Sequence, residues 1–203
     1  MAGGGGGSSG LIVRPMTPSR WGDLVELFGW DRGAYGGCWC MWYRLTQAEF
    51  SRGAPRGGAA GNRAAMKRLV STGRVPGLLA YRDGKPVGWI SVAPREEFGR
   101  IERSSVTKPI DDEPGVWSIV CWYIDRGNRG QGVGSALLAA AVDHARRKGA
   151  RIIEGYPVDP SLRKHTNAEA FVGIDSMFHR AGFREVARRS PSRPLMRYVV
   201  PGR

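Results

Sequence analysis

The chain has 203 residues, with 31 Lys and Arg against 18 Asp and Glu, a formal net charge of +13 and 41% hydrophobic residues. That length suits one domain with a real core. The hydrophobic fraction is ordinary and no run approaches the roughly 18 apolar residues of a membrane-spanning helix, so no membrane is expected as a partner. The basic surplus raises nucleic acid as a partner, but the arginines are spread along the whole chain and no zinc-finger or RNP pattern accompanies them, so nucleic acid is not the expected partner.

Residues 1–10, MAGGGGGSSG, cannot bury surface and are expected to form a disordered tail, leaving 11–203 as a single domain. They lack a basic segment followed by an apolar one, so no secretory signal is expected. Residues 11–14 read as a first strand closed by Pro15 and Pro18. Trp21, Leu24, Val25, Leu27 and Phe28 then fall on one helical stripe. Next comes GGCWCMWYR, residues 36–44, where Trp39, Trp42 and Tyr43 join Trp30 and Tyr35 in a dense aromatic cluster. It has two readings: a hydrophobic plug beneath a loop, or the wall of a pocket suited to a bulky or cationic amine. Three cysteines cannot all pair within one chain, and Cys38 and Cys40 are too close for an easy bridge. A reducing, cytoplasmic compartment follows. Cys38 and Cys40 also make poor zinc ligands at that spacing, and His144, His165 and His179 show no paired spacing, so no metal is expected.

Residues 51–61 read as a loop and 62–71 as a short helix with Ala65, Met66, Leu69 and Val70 inward. Residues 77–81 and 86–93 read as strands around Asp83-Gly84, a hairpin signal. Residues 95–115 are polar and are expected on the surface. Residues 116–124 form a near-continuous apolar, β-branched and aromatic run, the pattern of a strand buried on both faces. From Val133 the period becomes helical, through Leu137, Leu138, Ala141, Val142 and Ala145, with basic residues in the last turn and Gly149 as a stop. Residues 152–156 are the next buried strand, 176–183 a helix and turn, and 184–188 and 195–200 the closing strands.

The join between strand and helix, Arg129-Gly130-Gln131-Gly132-Val133-Gly134-Ser135, carries the chemistry. A helix start offers unpartnered N–H groups and a positive dipole end, and the glycines admit a phosphate without a Cβ in the way. A P-loop requires Gly-Lys-Ser/Thr, and no lysine lies between Lys108 and Lys148. A dinucleotide loop is nearly met by Gly130 and Gly132, with Glu154 at the offset of a ribose-binding acid. Ser135 breaks it, and the remaining residues are too few for a doubly wound sheet. Arg/Gln-x-x-Gly-x-Gly/Ala is met by Arg129, Gly132 and Gly134.

On that loop the chain resembles the GCN5-related N-acetyltransferases (GNAT). The LLAYRDGKPVGWISV hairpin and Gly182-Phe183 before a late strand extend the resemblance from Leu11 to Val200. It implies an α/β fold: a mixed, mostly antiparallel sheet with a central splayed parallel pair, flanked by helices. It also implies transfer of acetyl from acetyl-CoA, as co-substrate, to a primary amine by direct attack in a ternary complex. By position, the backbone of Trp122, Tyr123 and Ile124 would hold pantetheine, and Arg129, Gly130, Gln131, Gly132, Val133, Gly134 and Ser135 the pyrophosphate. Trp39, Trp42 and Tyr43 would wall the acceptor pocket, which favours a small molecule over a protein lysine or N-terminus.

The sequence departs from the family at the acid and base. Many relatives carry a tyrosine four residues before the Gly of Gly-Phe, where Phe178 stands. A frequent upstream asparagine is replaced by Phe171, and the usual glutamate of the cofactor strand by Ser118. Tyr123, Tyr156 and Ser176 are the candidate hydroxyl acids, and Glu113 the candidate base. These departures also motivate a second reading, a CoA-binding sensor or interaction module without chemistry. The partners expected are acetyl-CoA and an amine, with a homodimer admitted.

Overall fold

In a computed structural model of the chain, the described residues are 10–30, 33–34, 36–52, 59–161 and 172–202. Most of the N-terminal tail, Tyr35, His165, Phe171 and part of the 51–61 segment lie outside them.

Among the described residues seven strands form one sheet: β1 (Ile12–Pro15), β2 (Gly77–Arg82), β3 (Lys85–Pro94), β4 (Val116–Ile124), β5 (Ile152–Gly155), β6 (Arg184–Ser190) and β7 (Arg193–Val199). Their spatial order is β1-β2-β3-β4-β5-β7-β6. Every pairing is antiparallel except β4 with β5. The mixed, mostly antiparallel sheet with a central parallel pair is therefore present. The β2–β3 turn forms where Asp83 and Gly84 both take positive φ, 49° and 79°, the geometry of a tight hairpin. The last strand, β7, inserts between β5 and β6 instead of lying at the edge.

Helices cover both faces. Helix α1 (Trp21–Phe28) and α3 (Ala59–Ser71) lie on one side with the 38–43 loop, around Leu24, Phe28, Trp39, Met66, Leu79, Trp89 and Cys121. Helix α5 (Val133–Arg147) and α6 (Asp175–Arg180) cover the other, around Leu78, Ile90, Trp122, Leu137, Ala141 and Phe178. Close approach of α5 to the sheet depends on Gly88, where a Cβ would fall 2.9 Å from Val133 Cγ1 and 3.0 Å from Leu137 Cδ1.

Two short helices depart from the sequence reading. Helix α2 (Gln47–Arg52) occupies the start of the expected loop, and α3 begins three residues before Asn62. Helix α4 (Gly99–Arg103) lies in the segment expected on the surface, yet Phe98 and Ile101 are fully buried and Thr107 nearly so. Their apolar side chains are separated by charged ones, which conceals an inward face at this length.

Two irregularities shape the centre. The β3–β4 register shifts between Ser91 and Val92, which pair with Cys121 and Ile119 and leave Val120 as the extra residue. The parallel pairing runs only from Val116↔Ile152 to Ile119↔Gly155. Beyond it, β4 continues to Ile124 while β5 has ended. The two strands part there, leaving one edge of the second half of β4 without a strand neighbour among the described residues.

Candidate functional site

The phosphate-loop candidates gather at the open end of β4. After Ile124 the chain makes a turn held by Asp125, whose carboxylate accepts from Gly127 N–H at 3.2 Å and Asn128 Nδ2 at 3.1 Å. Arg129 folds back so that its Nε donates to Ile124 O at 3.1 Å. Arg82, from the β2–β3 hairpin, donates to Asn128 Oδ1 at 2.8 Å, to the Gln131 carbonyl at 3.2 Å and to Gln131 Oε1, tying the loop to the sheet.

Gly130 and Gly132 take φ of 72° and 79°, and a Cβ at either position would meet open space. The loop is therefore a concave run of backbone with room in front of it. Gly132 caps α5, and the first backbone bond there is Ala136 N–H to Gly132 O. The N–H groups of Val133, Gly134 and Ser135 have no hydrogen-bond partner among the described residues. Three free donors, a positive dipole end and the neighbouring Arg82, Arg126 and Arg129 suit a pyrophosphate. Gly134 has a packing role: a Cβ there would stand 2.8 Å from Met177 Cε.

Trp122, Tyr123 and Ile124 pair with Ile90, Trp89 and Gly88 along one edge only. Trp122 is buried and stacks on Phe178, centroids 5.5 Å apart and planes 7° from parallel. Tyr123 is half-buried against the edge of the Phe28 ring at 5.7 Å. Phe178 is fully buried between Trp122, Gly155 and Phe183. No hydroxyl stands where the family's tyrosine is expected. Ser176 lies on the first turn of α6, half-buried, its N–H on Asp175 Oδ1.

Ser118, Glu154 and Tyr156 meet at the vertex where β4 and β5 part, a connection that sequence reasoning missed. Ser118 and Glu154 are register partners, and both are fully buried. Tyr156 Oη donates to Glu154 Oε2 at 3.1 Å and lies 3.3 Å from Ser118 Oγ. Glu154 also binds Arg197 at 2.6 Å and Arg95 at 3.4 Å, and Arg197 continues to Asp111 at 2.7 Å. Burial, with the Glu154 carboxylate beside it, pushes the Tyr156 phenol well above its usual range. The ribose-acid offset of Glu154 therefore corresponds to an interior ion cluster. Glu113 is placed elsewhere: it is exposed ahead of β4, beside Arg146, Arg147 and Arg151 at the closed end of the strand pair.

The aromatic loop divides between the two readings. Trp39 is fully buried, stacked on Trp21 at 5.9 Å and edge-on to Phe28, so it is a core plug and not a pocket wall. Trp39 and Cys40 hold φ of 42° and 55°, a strained left-handed pair that packing must enforce. Trp42 and Tyr43, by contrast, line a pocket of about 670 Å³ with Thr46, Gln47, Arg100, Arg103 and Arg193. Cys40 Sγ lies 3.2 Å from Cys121 Sγ, fastening this loop to β4 beside Trp122. All three cysteines are buried, and burial raises the Cys40 thiol well above its ordinary pKa. Among the described residues no group of three or more His, Cys, Asp or Glu could hold a metal ion.

A seven-stranded sheet that opens at its central parallel pair, next to a glycine-rich helix start, defines an acetyltransferase-type fold. The sequence matches the Acetyltransferase (GNAT) family over residues 39–166, more than half of the chain, and the chain belongs to that family. A comparison with curated proteins finds no match. Solved structures share the fold at low identity. PaiA N-acetyltransferase from Thermoplasma acidophilum, in complex with coenzyme A, is 14% identical with a TM-score of 0.53, covering 94% of this chain and 99% of its own. The putative acetyltransferase yncA from Salmonella typhimurium, with its cofactor acetyl-CoA, is 15% identical with a TM-score of 0.54, covering 95% of each chain. A ribosomal-protein-alanine N-acetyltransferase from Brucella melitensis is 16% identical with a TM-score of 0.52, covering 93% of this chain and 99% of its own.

Proposed function

We propose that this chain is an acetyl-CoA-dependent N-acetyltransferase that acetylates a primary amine of a small molecule by direct attack in a ternary complex. The observation that carries the reading is the parting of β4 and β5 between two distinct surfaces. The phosphate loop and α5 lie towards one face, and the pocket of Trp42 and Tyr43 lies towards the other. Acetyl-CoA supplies a thioester whose carbonyl an amine can attack. The chain's own residues position and polarise.

In this reading the N–H groups of Val133, Gly134 and Ser135, with Arg129, Gly130, Gln131 and Gly132, hold the pyrophosphate. The edge of Trp122, Tyr123 and Ile124 that has no strand neighbour among the described residues holds the pantetheine amides, as an added strand would. Fixing both reactants beside that edge would supply the proximity term, and a backbone N–H of β4 there could stabilise charge developing on the thioester oxygen. Tyr123 and Ser176 are the hydroxyls retained as candidates for proton delivery to the departing thiolate. Tyr156 is bound to Glu154, and its raised pKa makes it a poor donor. Glu113 is given no role, because it stands at the closed end of the strand pair.

The burial of Phe178 favours one competing reading, a CoA-binding module without chemistry. Calorimetric titration with acetyl-CoA, CoA and NAD, on wild type and Gly132→Glu, comes first. Micromolar acetyl-CoA affinity lost in the variant is expected, because the carboxylate would occupy the open space before the loop with the wrong charge. Thiol release with amines then separates an enzyme from a binder. NAD binding without CoA binding would overturn both readings.

A further inference from the structure

From three separated stretches of sequence that form one pocket wall, we infer that the acceptor amine carries a second, anionic group, a carboxylate or a phosphate, which Arg100, Arg103 and Arg193 hold. The inference rests on the acetyltransferase reading and names the substrate class of the same site.

Among the described residues, the pocket lining contains three guanidinium groups and no carboxylate. None of the three arginines forms an ion pair among the described residues, although Arg44, Arg95, Arg188 and Arg197 all do. Arg100 is pinned by neutral acceptors: its Nε donates to Trp42 O at 2.6 Å, Nη1 to Gln47 Oε1 at 3.2 Å and Nη2 to Leu45 O at 3.4 Å. It also stacks over the Trp42 ring at 3.9 Å. The guanidinium is thus held in one orientation, with no carboxylate on it among the described residues. Arg193 enters from the start of β7 and engages Tyr43, yet its buried Nε has no hydrogen-bond partner among the described residues. Arg103, one helical turn after Arg100 on α4, is exposed at the rim. Glu49, next to the lining residue Ala48, is turned onto Thr46 N–H at 2.8 Å and Thr46 Oγ1 at 2.7 Å.

The buried Arg193 Nε left without an acceptor is costly, and an oxyanion removes that cost, while Arg100 and Arg103 add positive charge around it. Planar guanidinium groups match carboxylate and phosphate in bidentate geometry. The pocket is also in register with the chemistry. Tyr43 forms its inner wall and packs in the same core cluster as Cys40 and Cys121, and Cys121 precedes Trp122 on β4. An acceptor bound by its anion at the arginines can extend its amine past Tyr43 towards the parted strands. The net charge of +13 draws anionic acceptors to the surface. A simple cationic polyamine is disfavoured by the same groups.

The test pairs two assays. The first is a thiol-release screen of ω-aminoalkanoates and ω-aminoalkyl phosphonates against alkylamines of equal length and diamines. The expected result is a preference of roughly tenfold or more in kcat/KM for the anion-bearing member of a pair, lost mainly through KM in Arg193→Gln and in Arg103→Gln. The carboxylate and phosphonate arms tell the two anions apart. Equal or better turnover of alkylamines or diamines overturns the inference while leaving the acetyltransferase reading intact. The second assay titrates 6-aminohexanoate and inorganic phosphate into Gly132→Glu, whose phosphate loop is blocked. Binding that persists there and falls at least tenfold on adding Arg193→Gln supports the pocket, even if no amine releases thiol and the enzyme reading fails. No binding in that assay and no preference in the screen overturn it, as does displacement of the probes by single-stranded or duplex nucleic acid at lower concentration.

Discussion

Gly155 shows how much one side chain can depend on the absence of another. It ends β5 at the last paired position before the strands part, and a Cβ there would lie 2.1 Å from Phe178 Cε1 and 2.6 Å from Cζ. The ring cannot withdraw easily, because Trp122 lies flat against one face and Phe183 meets it edge-on at 5.0 Å. Gly155→Ala should therefore destabilise the fold by about 2–3 kcal/mol, the usual cost of overpacking a filled core. In a chain of this size that lowers Tm by roughly 4–12 °C. Adding Phe178→Leu should recover part of the loss, since the two sites share one contact. Thermal and urea unfolding of the single and double variants measure this. A Gly155→Ala chain that melts with the wild type would show that the ring has room to move.

Residue-scale signals in the sequence were uneven. Gly132 was legible because a left-handed helix cap beside a phosphate demands glycine. Phe178 was legible as a missing hydroxyl. Gly155, Gly88 and Gly173 were not, because their reason is a partner distant in sequence: a Cβ at Gly173 would fall 2.5 Å from the Trp122 ring. The meeting of Cys40 with Cys121 was hidden for the same reason, as 81 positions separate them.

Helix α5 is the element on which the site and the stability both depend. Its first turn presents the free N–H groups, and its buried stripe runs from Val133 through Leu137, Leu138 and Ala141 to Ala145. His144 belongs to that stripe: it is 5% exposed and edge-on to Trp117 at 5.9 Å. Burial, followed by the charge of Lys148, pulls its imidazole pKa below the ordinary 6.5. The unfolded chain then binds a proton more readily than the folded one. Stability should be level above about pH 6.5 and should fall as the pH drops towards the lowered folded value. Asp111 lies further down the scale, held below its usual 3.8 by Arg197, and its contribution is lost only as the pH falls through that lower range. Urea unfolding from pH 8 to pH 5 should show the upper step in wild type and a reduced one in His144→Leu. An unchanged slope in the variant would assign the step to another group.

Elements were legible where length and pattern agreed. β4 and α5 carry nine and fifteen residues of unambiguous periodicity, and Asp83-Gly84 marks its hairpin by turn chemistry. Helices of five and six residues, α4 and α2, are too short for a period to declare itself. The exchange of β6 and β7 is a long-range choice, and local pattern carries no information about it.

At the scale of the whole molecule, the opening between β4 and β5 must be held at one end if it is to stay open at the other. The buried cluster at the vertex is placed to do this. Glu154 on β5, fully buried, joins Arg197 on β7 and Arg95 after β3, while Arg197 also binds Asp111 on the segment leading into β4. Tyr156 and Ser118 complete the contact across the parallel pair. With Asp111 and Ser118 joining through Arg197 and Tyr156, arginines from two distant regions of the chain thus converge on one carboxylate. Replacing it by Leu would leave two nearly buried arginines with a lost partner, a change that typically costs about 3–5 kcal/mol. Glu154→Gln keeps the shape and two acceptor lone pairs, so its cost should be smaller. The structural role makes a further claim that simple destabilisation does not. If the cluster fixes the angle of the opening, acetyl-CoA affinity should weaken in Glu154→Gln under conditions where the variant is fully folded, although Glu154 lies remote from the phosphate loop. Unfolding in urea, paired with acetyl-CoA titration of the folded variant, separates the two effects. Lower stability with unchanged affinity would reduce the cluster to a core ion pair, whereas loss of both would make it the clamp that sets the cofactor cleft.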